Sequence, residues 1–336
     1  MKKIKVLYAG IKYHYNRPKF GLAYDYLNYY ETFKQMKTVS VEEFDWVREM
    51  GKLGSKREMN LALLRRVDHF KPDLVFFTLY KDEYAEETIW TISQKTLTFN
   101  WFADDIGRLE TYLMKWIPLF SWVSVITPSS FIKLKAVGFT NIIQTCWGAN
   151  IRIYKKLNLK KIYPVSFIGQ AHGNRKRLIE EIRNRDIDIK AWGWKFPSGH
   201  INTNHMVRIC NQTKINLNFT PISFNFPIYI KFLPWVLQPG TQILETGIKG
   251  LNARIFEITA AGGFLLTGSA PDIDNYFKIG KEIVVYENFN DLIERIKFYL
   301  DHDQTREKIA NAGYIRTLRD HTYEKRYIDI FRKIGL

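Results

Sequence analysis

A run near position 250 carries the residue types needed to hold a nucleoside diphosphate. The segment Lys249-Gly250-Leu251-Asn252-Ala253-Arg254-Ile255-Phe256-Glu257 places a helix start near Asn252, where free backbone N–H groups and the helix dipole favour negative charge. Lys249 and Arg254 bring side-chain cations to that end. Glu257 falls about one and a half turns into the helix, so its carboxylate can face a cleft and accept two ribose hydroxyls. The residues alone leave a second reading open, an i,i+3 surface pair between Arg254 and Glu257. Upstream, Gly169, Gly173 and Asn174 supply the backbone of a tight strand-to-helix turn, and Arg175 reaches toward the same phosphates. In Trp192-Gly193-Trp194, Trp194 is placed either to stack on a nucleobase or to fill a core.

The first half offers carboxylates and a histidine. Asp104 and Asp105 end an apolar strand, the place where open α/β sheets present ligands. They suit orientation or deprotonation of an acceptor hydroxyl. Competing readings are a grip on a divalent ion and, for Asp105, a helix N-cap. His14 follows the first strand together with Tyr13, Tyr15 and Arg17, either facing the same cleft or belonging to a tyrosine-rich surface loop. Cys146 and Cys210 are the only cysteines, too few for a disulfide framework and without zinc-site spacing.

Positioning these groups takes a βα rhythm, and the sequence supplies it twice. Strands are expected at 4–9, 38–44, 73–78, 96–102, 121–126 and 141–146, alternating with helices at 21–36, 84–94, 106–118 and 128–137. Ser55-Lys56-Arg57-Glu58 has capping-box spacing and opens a further helix that ends before Pro72. After an irregular linker within 147–163, strands are expected at 165–169, 187–192, 214–219, 263–267 and 282–286. Helices fall at 174–184, 201–212, 251–261, 271–277, 290–301 and 303–318. The pattern divides the chain into an N-terminal unit, 1–155, and a C-terminal unit, 156–319. Residues 220–248 break the rhythm with Pro221, Pro227, Pro234 and Pro239 among many aromatics, forming either a core plug or a functional loop.

With 46% apolar residues and 15% aromatics the chain can build large cores. No stretch approaches the roughly 18 to 20 apolar residues of a membrane-spanning helix. A net charge of +16 predicts attraction to anionic partners without saying which. A nucleic-acid-binding protein is the reading from another class, but the aromatics fall mostly on strands and helix faces and no nucleic-acid motif is present.

The run 249–257 quoted above, followed by Ala261-Gly262-Gly263-Phe264-Leu265-Leu266-Thr267, Tyr276-Phe277, Gly280-Lys281-Glu282, Asp291-Leu292-Ile293, Ala312-Gly313 and His321-Thr322-Tyr323, resembles the spore-maturation (CgeB-like) group of GT-B glycosyltransferases. The likeness runs across 247–327 in order and spacing. Phe167-Ile168-Gly169 with Arg175, and Trp101-Phe102-Ala103-Asp104-Asp105, look like the same group's second-domain opening and N-terminal cleft carboxylates. The resemblance implies a GT-B fold: two Rossmann-like α/β domains facing across a cleft. It further implies a donor held by the second domain, an acceptor held by the first, and a last helix crossing back. Residues 320–336 are that helix, with Tyr323, Tyr327, Ile330 and Phe331 on one apolar face. Many retaining members show a spaced pair of glutamates in this region. Here Glu257 matches the second and Lys249 stands at the first, which suits a phosphate or an acidic sugar.

The resulting expectation is a cytoplasmic glycosyltransferase with a nucleotide sugar as substrate, no cofactor and no metal, working by retaining chemistry. Its acceptor would be a glycan, a lipid-linked molecule or a protein. The loop residues Phe232, Leu233 and Trp235 would meet that acceptor or an anionic membrane surface that presents it. A GT-B-fold sugar-nucleotide epimerase, which needs no acceptor, is the alternative.

Overall fold

The computed structural model describes residues 2–103, 105, 107–220, 222–223 and 248–336, with only the backbone for 15, 222–223 and 248–249. Asp104 and the loop residues Phe232, Leu233 and Trp235 lie outside the described residues.

The first α/β unit is built on β1 (Ile4–Gly10), β2 (Val39–Asp45), β3 (Leu74–Phe77), β4 (Leu97–Trp101), β5 (Trp122–Val125) and β6 (Ile142–Gln144). All five pairings are parallel, in the order β2-β1-β3-β4-β5-β6. Such strands are covered on both faces and therefore read as continuous apolar runs, of which Leu74-Val75-Phe76-Phe77, wholly buried, is the plainest case. The helical segments between them are α1 (Glu31–Gln35), α2 (Trp46–Leu53), α3 (Lys56–Phe70), α4 (Glu86–Ser93), α5 (Met114–Trp116) and α6 (Pro128–Ala136). The predicted capping box opens α3, where Ser55 Oγ accepts from the Glu58 N–H at 3.1 Å. Helix α2 is absent from the sequence expectation. It starts directly on the last residue of β2, whose Asp45 side chain caps it, so no loop signal separates strand from helix.

Two expected helices are wound irregularly. A wide π turn (Tyr26–Tyr30) precedes α1, and the expected helix 106–118 is a π turn (Leu109–Leu113), one α turn and a 3-10 turn carrying Pro118. Proline lacks the N–H that would continue a regular ladder.

The second unit contains β7 (Tyr163–Ile168), β8 (Ile189–Trp192), β9 (Thr213–Asn218), β12 (Leu265–Gly268) and β13 (Val284–Tyr286) in the parallel order β13-β12-β9-β7-β8. Between β9 and β12, β10 (Ile222–Ser223) pairs antiparallel with β11 (Ile248–Lys249). Its helices are α7 (Arg175–Arg183), α8 (Thr203–Gln212), α9 (Ala253–Ala260), α10 (Phe289–Asp301) and α11 (Asp303–Asp320). The expected helix 271–277 is a single 3-10 turn, Ile273–Asn275, entered through Asp272 at φ +63°.

The chain passes between the units twice. At the first passage Ala149 pairs with Thr322 of the second: the Ala149 N–H donates to His321 O at 3.0 Å and the Tyr323 N–H to Ala149 O at 3.2 Å. A side chain at Gly148 would stand 3.0 Å from Tyr323 N, so the close pairing depends on that glycine. Helix α12 (Tyr323–Ile334) then lies on the first sheet, as expected, burying Tyr323, Tyr327, Ile330, Phe331 and Ile334. Tyr327 stacks on Phe33 with ring centroids 4.2 Å apart.

His321 sits at this junction, 4% exposed. Its Nε2–H donates to Tyr276 O at 2.7 Å and its Nδ1 accepts from Arg326 at 3.1 Å, a pattern that requires the neutral ring. Burial, helped by the Arg326 charge, lowers its pKa from 6.5 to about 4. The unfolded chain therefore takes up a proton near pH 6.5 that the folded chain refuses until near pH 4, so this stabilisation is present above pH 6.5 and lost as pH falls. His321→Gln is expected to flatten the decline in unfolding free energy between pH 6.5 and 4 by up to about 3 kcal/mol. Urea titrations at a series of pH values measure this, and an unchanged slope would contradict it.

Candidate active site

The C-terminal edges of the two sheets face each other. Loops after β1 meet loops after β8: Phe20 lies edge-on to Trp194 at 5.1 Å, and His14 is 6.3 Å from His200. Trp194 in turn stacks on His200 at 5.1 Å. Trp194 is half-buried rather than core, and its flat partner is a histidine of its own loop. Burial, with the nearby His200, lowers the pKa of His14.

On the second unit, two strand ends are drawn tightly together. The Gly169 N–H donates to Trp192 O at 2.9 Å and the Ala171 N–H to Trp194 O at 3.1 Å. Gly193 has φ +139°, and a Cβ there would lie 1.9 Å from Gly169 O, so no side chain fits. A Cβ on Gly169 would meet the Phe167 ring at 2.8 Å. Gly173, at φ +55°, turns the chain into Asn174, the residue before α7. Asn174 makes no side-chain cap.

Arg175 opens α7 and folds back over the Phe167 ring, 5.6 Å from its centroid. Its guanidinium donates to Gln170 O at 3.0 Å and Phe219 O at 3.5 Å. Among the described residues no carboxylate pairs with it. Burial, together with the nearby Arg254 charge, lowers its pKa. Such a cation, desolvated and held only by carbonyls, is a strong attractor for an anion.

Asn252 sits immediately before α9 with its Nδ2 donating to Asn218 Oδ1 at 3.2 Å. Its own Oδ1 is buried and makes no hydrogen bond. One turn on, Arg254 and Glu257 form the i,i+3 pair at 2.7 Å. This pair is not at a surface: Glu257 is 2% exposed, and its other oxygen accepts from Tyr154 Oη at 2.6 Å. Burial opposes the Arg254 charge and Glu257 more than offsets it, leaving the pKa raised. Tyr154, from the linker between the sheets, was silent in the sequence because no periodicity marks that stretch. Lys249 lies on β11 opposite Ile222.

In the first unit, Asp105 is 2% exposed. Its carboxylate accepts from the Ile126 and Thr127 N–H groups at 3.0 and 2.8 Å and from the Thr127 hydroxyl at 2.9 Å. Asp105 thus fastens the turn from β5 into α6, and burial raises its pKa against those bonds. The structure therefore gathers Gly169, Gly173, Asn174, Arg175, Asn252, Arg254 and Glu257 at one sheet edge, with Trp194 and His14 at the mouth. Phe20 and His200 belong to that mouth and were not legible in the sequence.

Comparison with known proteins agrees with this fold. Residues 175–332 match the family described as glycosyl transferase-like. Spore protein CgeB of Bacillus subtilis is 21% identical over 273 residues, 78% of this chain and 83% of that protein. Anabaena HepE, solved with UDP and glucose, superposes with a TM-score of 0.61 at 10% identity, covering 98% of this chain and 99% of HepE. TarM of S. aureus, solved with UDP and α-GlcNAc-glycerol, gives 0.57 at 9% identity over 83% of this chain, which spans 59% of TarM. The fold is of the GT-B type, and the second half of the chain is similar to glycosyl transferase-like proteins. The similarity to CgeB is the one expected from the residues between 247 and 327.

Glu257→Gln and Tyr154→Phe are each expected to lower unfolding free energy by about 1.5 to 3 kcal/mol, the range for hydrogen bonds to charged groups, and to couple in a double-mutant cycle. Additive losses would show that the two do not act as a unit. A carboxylate that also clamps ribose would in addition cost nucleotide affinity, which calorimetry on the same variants reads directly.

Proposed function

We propose that the chain moves a sugar from a nucleoside diphosphate sugar to an acceptor hydroxyl, with residues 156–319 holding the donor and residues 1–155 plus 320–336 holding the acceptor. The observation that carries the donor half is the gathering of two half-buried guanidiniums, Arg175 and Arg254, near the start of α9. As the C1–O bond to the diphosphate breaks, the leaving oxygen keeps the electron pair, and preorganised cations with helix N–H groups stabilise the new charge. This cation set supports metal-independent departure of the leaving group. Retention of configuration is carried by the family resemblance.

In this reading Glu257 holds Arg254 in place, and Trp194 with His200 offers a flat surface for the base. UDP is the first nucleotide to try, since HepE and TarM were solved with it. The +16 charge and the aromatic loop carrying Phe232, Leu233 and Trp235 support an acceptor displayed at an anionic membrane surface in cell-surface glycan assembly. No helix among the described residues is long and apolar enough to cross a membrane.

Arg175→Ala is expected to weaken UDP binding by about 10- to 150-fold, the equivalent of 1.5 to 3 kcal/mol, while leaving uridine binding unchanged. Calorimetry on both ligands separates a phosphate contact from a general disturbance. Turnover of a UDP-sugar is expected to survive excess chelator. Loss of turnover restored by manganese or magnesium would defeat the metal-independent reading.

A further inference from the structure

The first sheet ends on β6, which pairs with β5 alone. In this parallel ladder Asn141 O accepts from the Val123 N–H, and the Thr145 N–H donates to Val125 O, both at 3.0 Å. A parallel strand bonds to one neighbour through every second residue, so 141, 143 and 145 serve β5. The main-chain N–H and C=O groups of Ile142 and Gln144 therefore point away from the sheet, and nothing among the described residues bonds to them. An open edge of this kind is a template for a further strand. The opposite edge, β2, is blunted by paired charges of both signs: Glu43 with Lys12 and Arg48, and Glu42 with Arg66. The residues of β6 carry no such pairs.

The β6 edge instead floors an open groove of about 650 Å³ that runs from Thr140 to Cys146, a length of about 20 Å at the usual rise of a strand. Helices α6 and α12 wall it because they cover opposite faces of the sheet: Ile142 packs with Leu134 of α6, and Ile143 with Tyr327 and Ile330 of α12. Each wall combines an apolar surface with positive charge. Phe131 and Lys135 face the groove from α6, and Arg326, Ile330 and Lys333 from α12, at the i, i+4, i+7 spacing of one helix face.

Lys135 and Lys333 are exposed. Lys135 reaches Thr140 O at 3.4 Å, and Arg326 is held by Cys146 O and His321 Nδ1 at 3.3 and 3.1 Å. Among the described residues none of the three cations pairs with a carboxylate. Asp329, the acidic residue on the described walls, is engaged by Arg332 at 3.3 Å. None of the residues gathered at the candidate active site lines this groove.

We propose that the groove takes an extended acidic segment of a partner protein, which adds as a seventh strand to the six of the first sheet. Main-chain groups of the segment bond to Ile142 and Gln144, which supplies affinity, and its alternate side chains fall against α6 and α12, which supplies selectivity. There Lys135 and Lys333, with the Arg326 charge behind them, select carboxylates. A second copy of this chain, offered edge to edge, would bring the same lysines against these, and like charges facing one another oppose that pairing. A nucleic acid would meet the lysines and leave the strand edge unpaired. The inference stands independently of the transferase reading.

Phage display of random peptides long enough to span the groove, selected on the full chain, tests this. Enriched sequences are expected to carry aspartate or glutamate at alternate positions and to lack proline between them. By fluorescence anisotropy, a synthetic copy of an enriched peptide is expected to bind more weakly as salt rises. It is expected to lose about tenfold in affinity on the Lys135→Glu, Lys333→Glu double variant, the size of two exposed ion pairs. Both positions are exposed, so the variant is expected to keep the wild-type melting temperature. N-methylation of every second residue blocks one edge of the peptide, and is expected to abolish binding in one register and spare it in the other. Failure to enrich acidic sequences would overturn the proposal, as would a peptide bound equally by the double variant, or the two N-methylation patterns acting alike. A wild-type chain that sediments as a dimer and dissociates on adding the peptide would assign the edge to a second copy and overturn it too.

Discussion

The constraint on which the architecture rests is the pairing of the two passages between the units. Ala149 and Thr322 exchange backbone hydrogen bonds through their neighbours, so the two sheets are joined by two short crossing strands lying side by side. Around this point Trp147 donates from its indole to Leu251 O at 3.0 Å, and Asn150 donates to Leu27 O at 2.8 Å. The irregular stretch expected to be the linker is thus bonded into both units. Around it a buried apolar cluster joins Ile126 of the first unit and Trp147 and Tyr154 of the linker to Ile255 and Phe256 of the second, so the junction is packed as well as bonded. The aromatic contacts of His14 and Phe20 with His200 and Trp194 add a second meeting of the units.

The same junction connects to the start of α9 through Tyr154. Its hydroxyl and the Arg254 guanidinium together occupy the Glu257 carboxylate, so the linker and the start of α9 share one buried charge network. A buried ion pair is weak evidence for stability, because desolvation offsets most of its attraction. What it provides here is orientation: Arg254 cannot swing into solvent without leaving a carboxylate that is 2% exposed unpaired. Arg175 is treated differently, held by carbonyls and an aromatic face with no counter-charge among the described residues. One cation is fixed by a partner while the other awaits one, an arrangement suited to an anion that arrives and departs.

The legible parts of the sequence were those governed by local rules. The sheet strands appeared within about two residues because parallel strands bury both faces and read as apolar runs, as at 74–77. The capping box at Ser55 and the apolar stripe of α12 follow from helix geometry alone. The illegible parts were those set by tertiary contacts. The π turns at Tyr26–Tyr30 and Leu109–Leu113 have no sequence period of their own, and Asp25, which precedes the first, drew no attention. The Arg254 to Glu257 spacing was readable, but its burial depends on Tyr154, about a hundred residues away in sequence. For Asp105 the sequence marked a carboxylate at a strand end. The neighbouring turn that consumes it, at Thr127, is defined only once β4 and β5 lie side by side.

Satisfied and unsatisfied polar groups then sort the carboxylates and amides of the cleft by role. Asp105 accepts three bonds from one turn, and its geometry is complete without a ligand. Asn252 Oδ1 on one side and Trp101 Nε1 on the other are buried with none, and they sit at the C-terminal edges of opposite sheets. In both cases the desolvation cost is met during folding. This is preorganisation in the electrostatic sense: dipoles fixed by the protein do not have to reorient when charge arrives. The two make opposite demands: Asn252 Oδ1 calls for a donor and Trp101 Nε1 for an acceptor, while the Arg175 guanidinium on the second unit calls for an anion.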